Sequence, residues 1–440
     1  MIATTEFAKR RAAFAEHMAD NSVVVFPAAK ELTRSRDTEF PFRQNSDFFY
    51  LTGFPEPDAW LIMEKSDGKL QSTLVCRVKD KLSEIWHGRR IGKEVAKSEF
   101  LFDHTADDTE LHGQLHQALN NKQTLYWAQG EYSDADNIIF ELLSELRGAP
   151  KKGWNAPTEI LDPRPRLHNM RLIKSDAEIA VMRKAGEISA NAHKRAMQFS
   201  ASQTASNKVV TEYQLEAEIH HEFAMNGARY PAYGTIVGSG ENACILHYTE
   251  NESEINPSDL VLIDAGCELF GYAADITRTF PANGKFSPEQ KAIYQLVLST
   301  QEQVIEAIKP GTSLKALTDL SVKLITQGLV DLGILSGDVD QLIEQQAHRA
   351  YYMHGLAHWI GLDVHDVGDY NQKGAERGLE AGMVFTIEPG IYIDSNSQCD
   401  SKWHGIGVRI EDNILITETG FENLTSSVPK SLEEIEALMS

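Results

Sequence analysis

The chain has 440 residues, 42% of them hydrophobic and 24% charged, which suits a folded protein with sizeable cores and more than one domain. Its 64 acidic residues against 42 basic ones give a net charge of -22. Such a surface repels polyanions, so neither nucleic acid nor an anionic membrane is an expected partner.

The opening segment mixes apolar residues with Lys9, Arg10 and Arg11 and shows no apolar stretch of signal-peptide type. No uninterrupted apolar run approaches the roughly 18 residues of a membrane span. The four cysteines (Cys76, Cys244, Cys267, Cys399) are scattered and form no CxxC pair. Reduced thiols in a cytoplasmic protein are the expectation.

In chain order, 22–26, 59–63 and 72–78 read as strands from their β-branched and apolar content, and 106–121 and 135–147 as amphipathic helices. This alternation predicts an α/β domain with its own sheet. Prolines 157, 163 and 165 then mark an extended connector. Ser175, followed by Asp176 and Glu178, predicts an N-cap opening a long helix to about Gln198. The expected division is therefore 1–173 and 174–440. The polar, small residues 199–208 after that helix suggest a flexible surface insertion.

The second part predicts helices over 211–225 and, from Ser287 and Pro288, to Ile308, where Pro310 and Gly311 stop it. Strand candidates lie at 235–237, 260–265, 271–280, 383–387 and 406–417. Helices grouped apart from antiparallel strands point to an α+β domain.

Chemistry concentrates in this second part. A strand ending in Asp264 and a return strand carrying Asp275, Thr277 and Thr279 on one face would bring two carboxylates together across a hairpin. A buried carboxylate pair calls for a cation or a shared proton. Residues 353–367 hold His354, His358 and His365 among apolar neighbours. His354 and His358 have the i, i+4 spacing of a zincin helix, but Gly355 stands where that motif needs Glu. Gly355 and Gly361 also argue against a regular helix there. Glu388 closes a strand before Pro389-Gly390, and Glu411 shares a strand face with Arg409. Four carboxylates with one imidazole form a hard donor set suited to Mn²⁺, Co²⁺ or Zn²⁺ in a carboxylate-bridged pair. Two such ions would support hydrolysis without a redox cofactor.

These motifs occur in a fixed order: Gly240-Glu241-Asn242 with Leu246-His247-Tyr248, IDAG at 263–266, DITRTF at 275–280, HGLAHWIGLDVHDVG at 354–368, TIEPG at 386–390 and GIGVRIED at 405–412. Together they resemble the aminopeptidase P family, the Xaa-Pro aminopeptidases within the pita-bread metallopeptidases, a group shared with prolidase and methionine aminopeptidase. RQNSDFFYLTGF at 43–54 and EIWHGRR at 84–90 resemble that family's N-terminal domain. The resemblance implies an α/β N-terminal domain followed by an α+β pita-bread catalytic domain.

It also implies release of an N-terminal residue that precedes proline, through attack by a water or hydroxide bridging two divalent ions, manganese favoured over cobalt or zinc. Asp264, Asp275, His358, Glu388 and Glu411 would be the metal ligands, with Asp275 and Glu411 bridging. Glu388 would also move the proton. His247 and His365 would steady the reacting carbonyl, and His354, Arg409 and Tyr392 would contact the substrate near its proline. Asp37 and Trp86 resemble residues that approach active sites in the assembled oligomer, a homotetramer in this subfamily. A prolidase restricted to dipeptides, or a non-catalytic binding protein on the same scaffold, would be the competing readings.

Overall fold

The computed structural model describes residues 2–372 and 374–440. The chain divides into two compact units, with the break between Arg171 and Leu172.

The first unit is built on a six-stranded mixed sheet. Its strands run in the order His104–Asp107, Lys69–Cys76, Trp60–Ser66, Ser22–Pro27, Thr124–Tyr126, Glu159–Leu161. The Ser22–Pro27 strand pairs antiparallel with Trp60–Ser66 and parallel with Thr124–Tyr126. It is buried along its whole length, as a continuous apolar run in a covered sheet must be. Val23, Val25, Ile62, Val75 and Leu125 from the sheet pack against Leu115 and Leu119 of one helix and Ile139, Leu142 and Leu146 of another.

One expectation changes here. The helix read over 106–121 starts only at Leu111 and ends at Leu119. The preceding residues form an edge strand and a short 3-10 turn, in which Asp107 and Glu110 make a reciprocal capping box. Of the basic cluster at 9–11, Arg10 and Arg11 are buried. Arg11 donates to the carbonyls of Leu51 at 2.9 Å and Leu101 at 2.7 Å. It thus satisfies carbonyls that helix ends leave without an intrahelical partner.

Two of the three-stranded antiparallel sheets in the second unit position the site. One runs Ile236–Ser239, Leu260–Asp264, Thr277–Pro281, and the other Val384–Ile387, Asp412–Ile416, Phe421–Asn423. A further hairpin pairs Gly390–Ile393 with Ile406–Arg409. The Pro288–Glu306 helix starts on a capping box between Ser287 and Gln290. Val304, Ile305 and Ile308 at its C-terminal end, with Leu317 of the next helix, Leu314–Asp331, bury against Phe385, Ile387, Ile414 and Ile416 of the second sheet. The Asp176–Ala205 helix packs along Glu212–Met225 and the short Cys267–Leu269 strand.

Residues 199–205 are therefore not a flexible insertion but the last two turns of a 30-residue helix. The stretch lacks Gly and Pro, and hydroxyls bond back onto the helix, Ser202 Oγ to the Phe199 carbonyl and that of the capping Ser206 to the Ser202 carbonyl.

Candidate metal centre and active site

Asp264 ends its strand and pairs there with Thr277 of the returning strand. Asp275 sits two residues before Thr277, between the Tyr272–Ala273 and Thr277–Pro281 strands. The expected continuous strand over 271–280 is thus interrupted at the aspartate. Its backbone is held instead by the Asn413 side chain, which accepts from Asp275 N at 3.0 Å and donates to its carbonyl at 2.6 Å. A Cβ on Gly266 would run into the Ala274 carbonyl, so only glycine lets the two chains close this tightly behind the carboxylates.

The Tyr233 hydroxyl lies 2.6 Å from Oδ1 of both aspartates. Arg409 Nη2 donates to Asp264 Oδ2 at 2.7 Å. Burial pushes the Asp264 carboxyl up, but the Arg409 charge and the Tyr233 and Arg409 hydrogen bonds outweigh it and hold the group below its ordinary range. Burial and the adjacent Asp264 charge raise Asp275, and the opposing hydrogen bond and charge of His358 are outweighed.

The second sheet and its flanking loop supply the rest. No helix forms around His354 and His358. Instead His358 lies alongside the Val384–Ile387 strand, with Thr386 N donating to its carbonyl at 3.0 Å. His358 Nδ1 faces the Trp359 carbonyl at 3.0 Å, which assigns the proton to Nδ1 and leaves Nε2 to face the acids. Nε2 is 3.4 Å from both Asp275 Oδ2 and Glu388 Oε1. Burial lowers this imidazole, yet the hydrogen bond and charge of Asp275 and the charge of Glu388 raise it to about 9.

Glu388 follows its strand directly and accepts from the Thr386 hydroxyl at 3.0 Å. Burial raises it to about 7, with His358 opposing and Asp275 adding to the rise. Glu411 lies between the Ile406–Arg409 and Asp412–Ile416 strands, so the strand expected over 406–417 also breaks at its carboxylate. Its Oε2 accepts from Thr277 Oγ1 at 2.7 Å. Its Oε1 is buried without a partner. Burial, then repulsion from Asp275, Glu388 and Asp264, pushes Glu411 well above the usual carboxylate range.

Asp275, His358 and Glu411 each offer a ligand atom within 4.8 Å of the others. Together with Asp264 and Glu388 they line one cavity of ≈ 80 Å³, shared with Leu246, His247, His354, His365 and Arg409. Four carboxylates crowded in a low-dielectric cavity repel one another unless protons or cations intervene. The orphaned Glu411 oxygen and the His358 Nε2 turned toward two carboxylates suit a hard divalent cation, so the residues present fit a metal centre.

A hydrogen-bonded chain of side chains runs from Arg409. Arg409 Nη1 donates to the Tyr392 hydroxyl at 2.9 Å, and that hydroxyl is 2.7 Å from His354 Nε2. His354 Nδ1 faces the Gly355 carbonyl at 2.7 Å, so Nδ1 carries the proton and Tyr392 donates to Nε2. Burial and the Arg409 charge push His354 down to about 4, which keeps it neutral. The His365 ring stands edge-on to His358, 4.3 Å between centroids.

Asp37 and Trp86 belong to the first unit and are not among the cavity residues. Asp37 is exposed in the turn between two short strands. Trp86 is 82% exposed on Lys81–His87, a helix that buries none of its residues. Sequence reasoning missed Tyr233, Asn413 and Thr386. Tyr233 lies 31 and 42 residues from its partners, and no local spacing signals such contacts.

The model of metallopeptidase family M24 matches residues 180–418, and that of the aminopeptidase P N-terminal domain matches 7–126. Xaa-Pro aminopeptidase of Escherichia coli is 54% identical over 439 residues, covering 100% of this chain and 98% of its own length. The Haemophilus influenzae Xaa-Pro aminopeptidase is 48% identical over 435 residues, covering 99% and 97%. A zinc-substituted E. coli aminopeptidase P in complex with product superposes with a TM-score of 0.95 at 53% identity, covering 100% of this chain and 98% of that one. The α/β unit followed by an α+β pita-bread unit is thus the fold of the whole chain. The chain belongs to metallopeptidase family M24, with an aminopeptidase P N-terminal domain preceding its catalytic domain.

Proposed function

We propose that this metallopeptidase hydrolyses the bond between an N-terminal residue and a penultimate proline, with Asp264, Asp275, His358, Glu388 and Glu411 holding two divalent cations. The observation that carries the reading is the convergence of these five side chains in one cavity, with a buried Glu411 oxygen left without a partner. Asp275 and Glu411 would be the two ligands shared by both ions. When bound, the ions would supply a nucleophilic water at neutral pH and polarise the scissile carbonyl.

The remaining work falls to the chain itself. Glu388, its Oε1 steadied by Thr386, takes the proton of the attacking water and delivers it to the departing proline nitrogen. His247 and His365 line the same cavity and donate to the oxygen that gains charge. His354, Tyr392 and Arg409 form the wall that receives the proline. Their mutual hydrogen bonds fix each donor before substrate arrives, and a neutral His354 keeps that wall from adding a second cation beside Arg409.

The oxygen-rich donor set favours manganese, with cobalt and zinc as alternatives. The four cysteines are free, in keeping with a reducing cytoplasm. Among the described residues no helix is long and apolar enough to cross a membrane. Trp86 and Asp37, exposed on the first unit, would meet the active site of a neighbouring copy in a homotetramer.

The test is hydrolysis of Xaa-Pro dipeptides and Xaa-Pro-Xaa tripeptides by chelated protein reloaded with Mn²⁺, Co²⁺ or Zn²⁺. Metal-dependent cleavage of tripeptides after the first residue supports the proposal. Cleavage confined to dipeptides would make the enzyme a prolidase, and absence of metal-dependent turnover would refute it as a peptidase.

A further inference from the structure

We infer that Glu212, remote in sequence from every motif above, is the positioning residue for the loop that carries His247. It is the first residue of the Glu212–Met225 helix and has no exposed surface. Five donors converge on its carboxylate. Oε1 accepts from Ser239 N at 2.9 Å, Ser239 Oγ at 2.8 Å and Asn242 Nδ2 at 3.0 Å. Oε2 accepts from the Tyr248 hydroxyl at 2.8 Å and Ser253 N at 2.9 Å.

Those donors have a pattern. Ser239 is the last residue of the strand paired with the Asp264 strand, where the loop begins. Ser253 is where it ends, and its carbonyl accepts from Glu212 N at 3.0 Å. Asn242 lies within the loop and also bonds Ser253 Oγ at 3.0 Å. Tyr248 is the immediate neighbour of His247. One carboxylate therefore closes both ends of the loop and ties down the residue next to the histidine.

Apolar packing of Ala243, Leu246 and Tyr248 on Ile236, Leu262 and Tyr392 also holds the loop, yet part of its tip faces solvent. Ile245 is 54% exposed and His247 itself is exposed, although Leu246 and His247 line the catalytic cavity. A surface loop whose tip must present a donor at a fixed place needs an anchor below it. Hydrogen bonds to an ionised acceptor are the strong kind, and the helix N-terminus favours the negative charge. A neutral amide could not substitute. Whichever end of a glutamine side chain faced Oε1 or Oε2, its NH₂ group would point at donors.

This inference rests on the role proposed above for His247, and the experiment separates the two. Glu212→Gln, His247→Ala and the double variant are compared for kcat/KM on a Xaa-Pro-Xaa tripeptide, for Mn²⁺ content, and for amide hydrogen exchange across 240–252. Glu212→Gln should lose at least tenfold in kcat/KM, keep its Mn²⁺, and exchange faster in that segment. The double variant should be no worse than His247→Ala alone, because a positioning residue has nothing left to position. Losses that multiply in the double variant, or a Glu212→Gln enzyme at wild-type kcat/KM beside an impaired His247→Ala, would overturn the inference. A His247→Ala enzyme with wild-type turnover would remove the role given to His247 and this inference with it. Should Glu212→Gln fail to fold, Tyr248→Phe deletes a single donor, and its expected loss of about threefold must likewise vanish in the His247→Ala background.

Discussion

The phenolic oxygen of Tyr233 lies 2.6 Å from Asp264 Oδ1 and reaches Asp275 Oδ1 at the same distance. One hydroxyl has a single proton, so it cannot donate to both carboxylates at once. It is half-buried between them, and burial and their charges push its own pKa well above the ordinary phenol value. Tyr233 thus works as a neutral spacer that sets the separation of the two aspartates. Tyr233→Phe should keep the fold and weaken Mn²⁺ binding by about tenfold, the lower end of what outer-shell changes cost. Calorimetric titration of chelated protein measures this. Unchanged affinity would reduce the tyrosine to a packing role.

Glu388 gives a sharper test of chemistry. Its neighbour Thr386 bonds both the Glu388 carboxylate and the His358 backbone, so the side chain can be removed without opening the strand. Glu388→Ala should lower kcat by two to four orders of magnitude, the usual worth of a positioned proton carrier or more. The melting profile of the chelated protein should show no loss of fold. Near wild-type turnover at saturating Mn²⁺ would mean another group moves the proton.

How much of this was legible beforehand depends on the distance over which each residue acts. The Asp264 and Asp275 pair follows from a two-residue period and a turn, both local. Even so, the strand was expected to continue through Asp275, whereas the ladder opens there and Asn413, 138 residues away, takes over its backbone. Arg409 and Glu411 do turn to the same partner, since Thr277 Oγ1 meets Arg409 Nε at 3.1 Å and Glu411 Oε2 at 2.7 Å. The break between their strands, where Glu411 N donates to the Thr277 carbonyl, leaves no local mark. Residues 199–205 misled for another reason. Their small polar side chains suit a loop, but nothing among them breaks a helix already nucleated upstream.

Behind Glu411 lies a wholly buried ion pair. Arg278 Nη2 meets Asp412 Oδ1 at 2.7 Å with neither side chain exposed. Arg278 Nη1 also donates to the Glu411 carbonyl at 2.6 Å, and Lys430 Nζ reaches Asp412 Oδ2 at 3.0 Å. Arg278→Met removes the guanidinium while leaving the carboxylate buried beside it. The expected loss is about 3–5 kcal/mol, typical when one partner of a buried pair is deleted. Urea denaturation of the chelated proteins, followed by far-UV circular dichroism, provides the measurement. A loss below about 1 kcal/mol would show that Lys430, Thr425 and Gln301 together satisfy Asp412.

In the first unit, Asp47 gives a pH dependence separate from the metal site. Its carboxylate accepts from Arg171 Nη1 at 2.7 Å and stands 3.0 Å from His168 Nε2. Burial raises it, but the His168 hydrogen bond and the charges of Arg171 and His168 prevail and hold it below the ordinary carboxylate range. Tyr132, whose own pKa is raised by burial and by the Asp47 charge, also lies near it. A depressed folded pKa means the carboxylate stabilises the fold fully above its unfolded value of about 4, and this contribution fades as pH falls through the folded value. Asp47→Asn should therefore be less stable than the wild type at pH 7, with the difference shrinking steadily below pH of about 4. Denaturant midpoints of both proteins across that window test it. A difference that stays constant down to the lowest pH at which the wild type folds would mean the pair acts through shape and hydrogen bonding, not through charge.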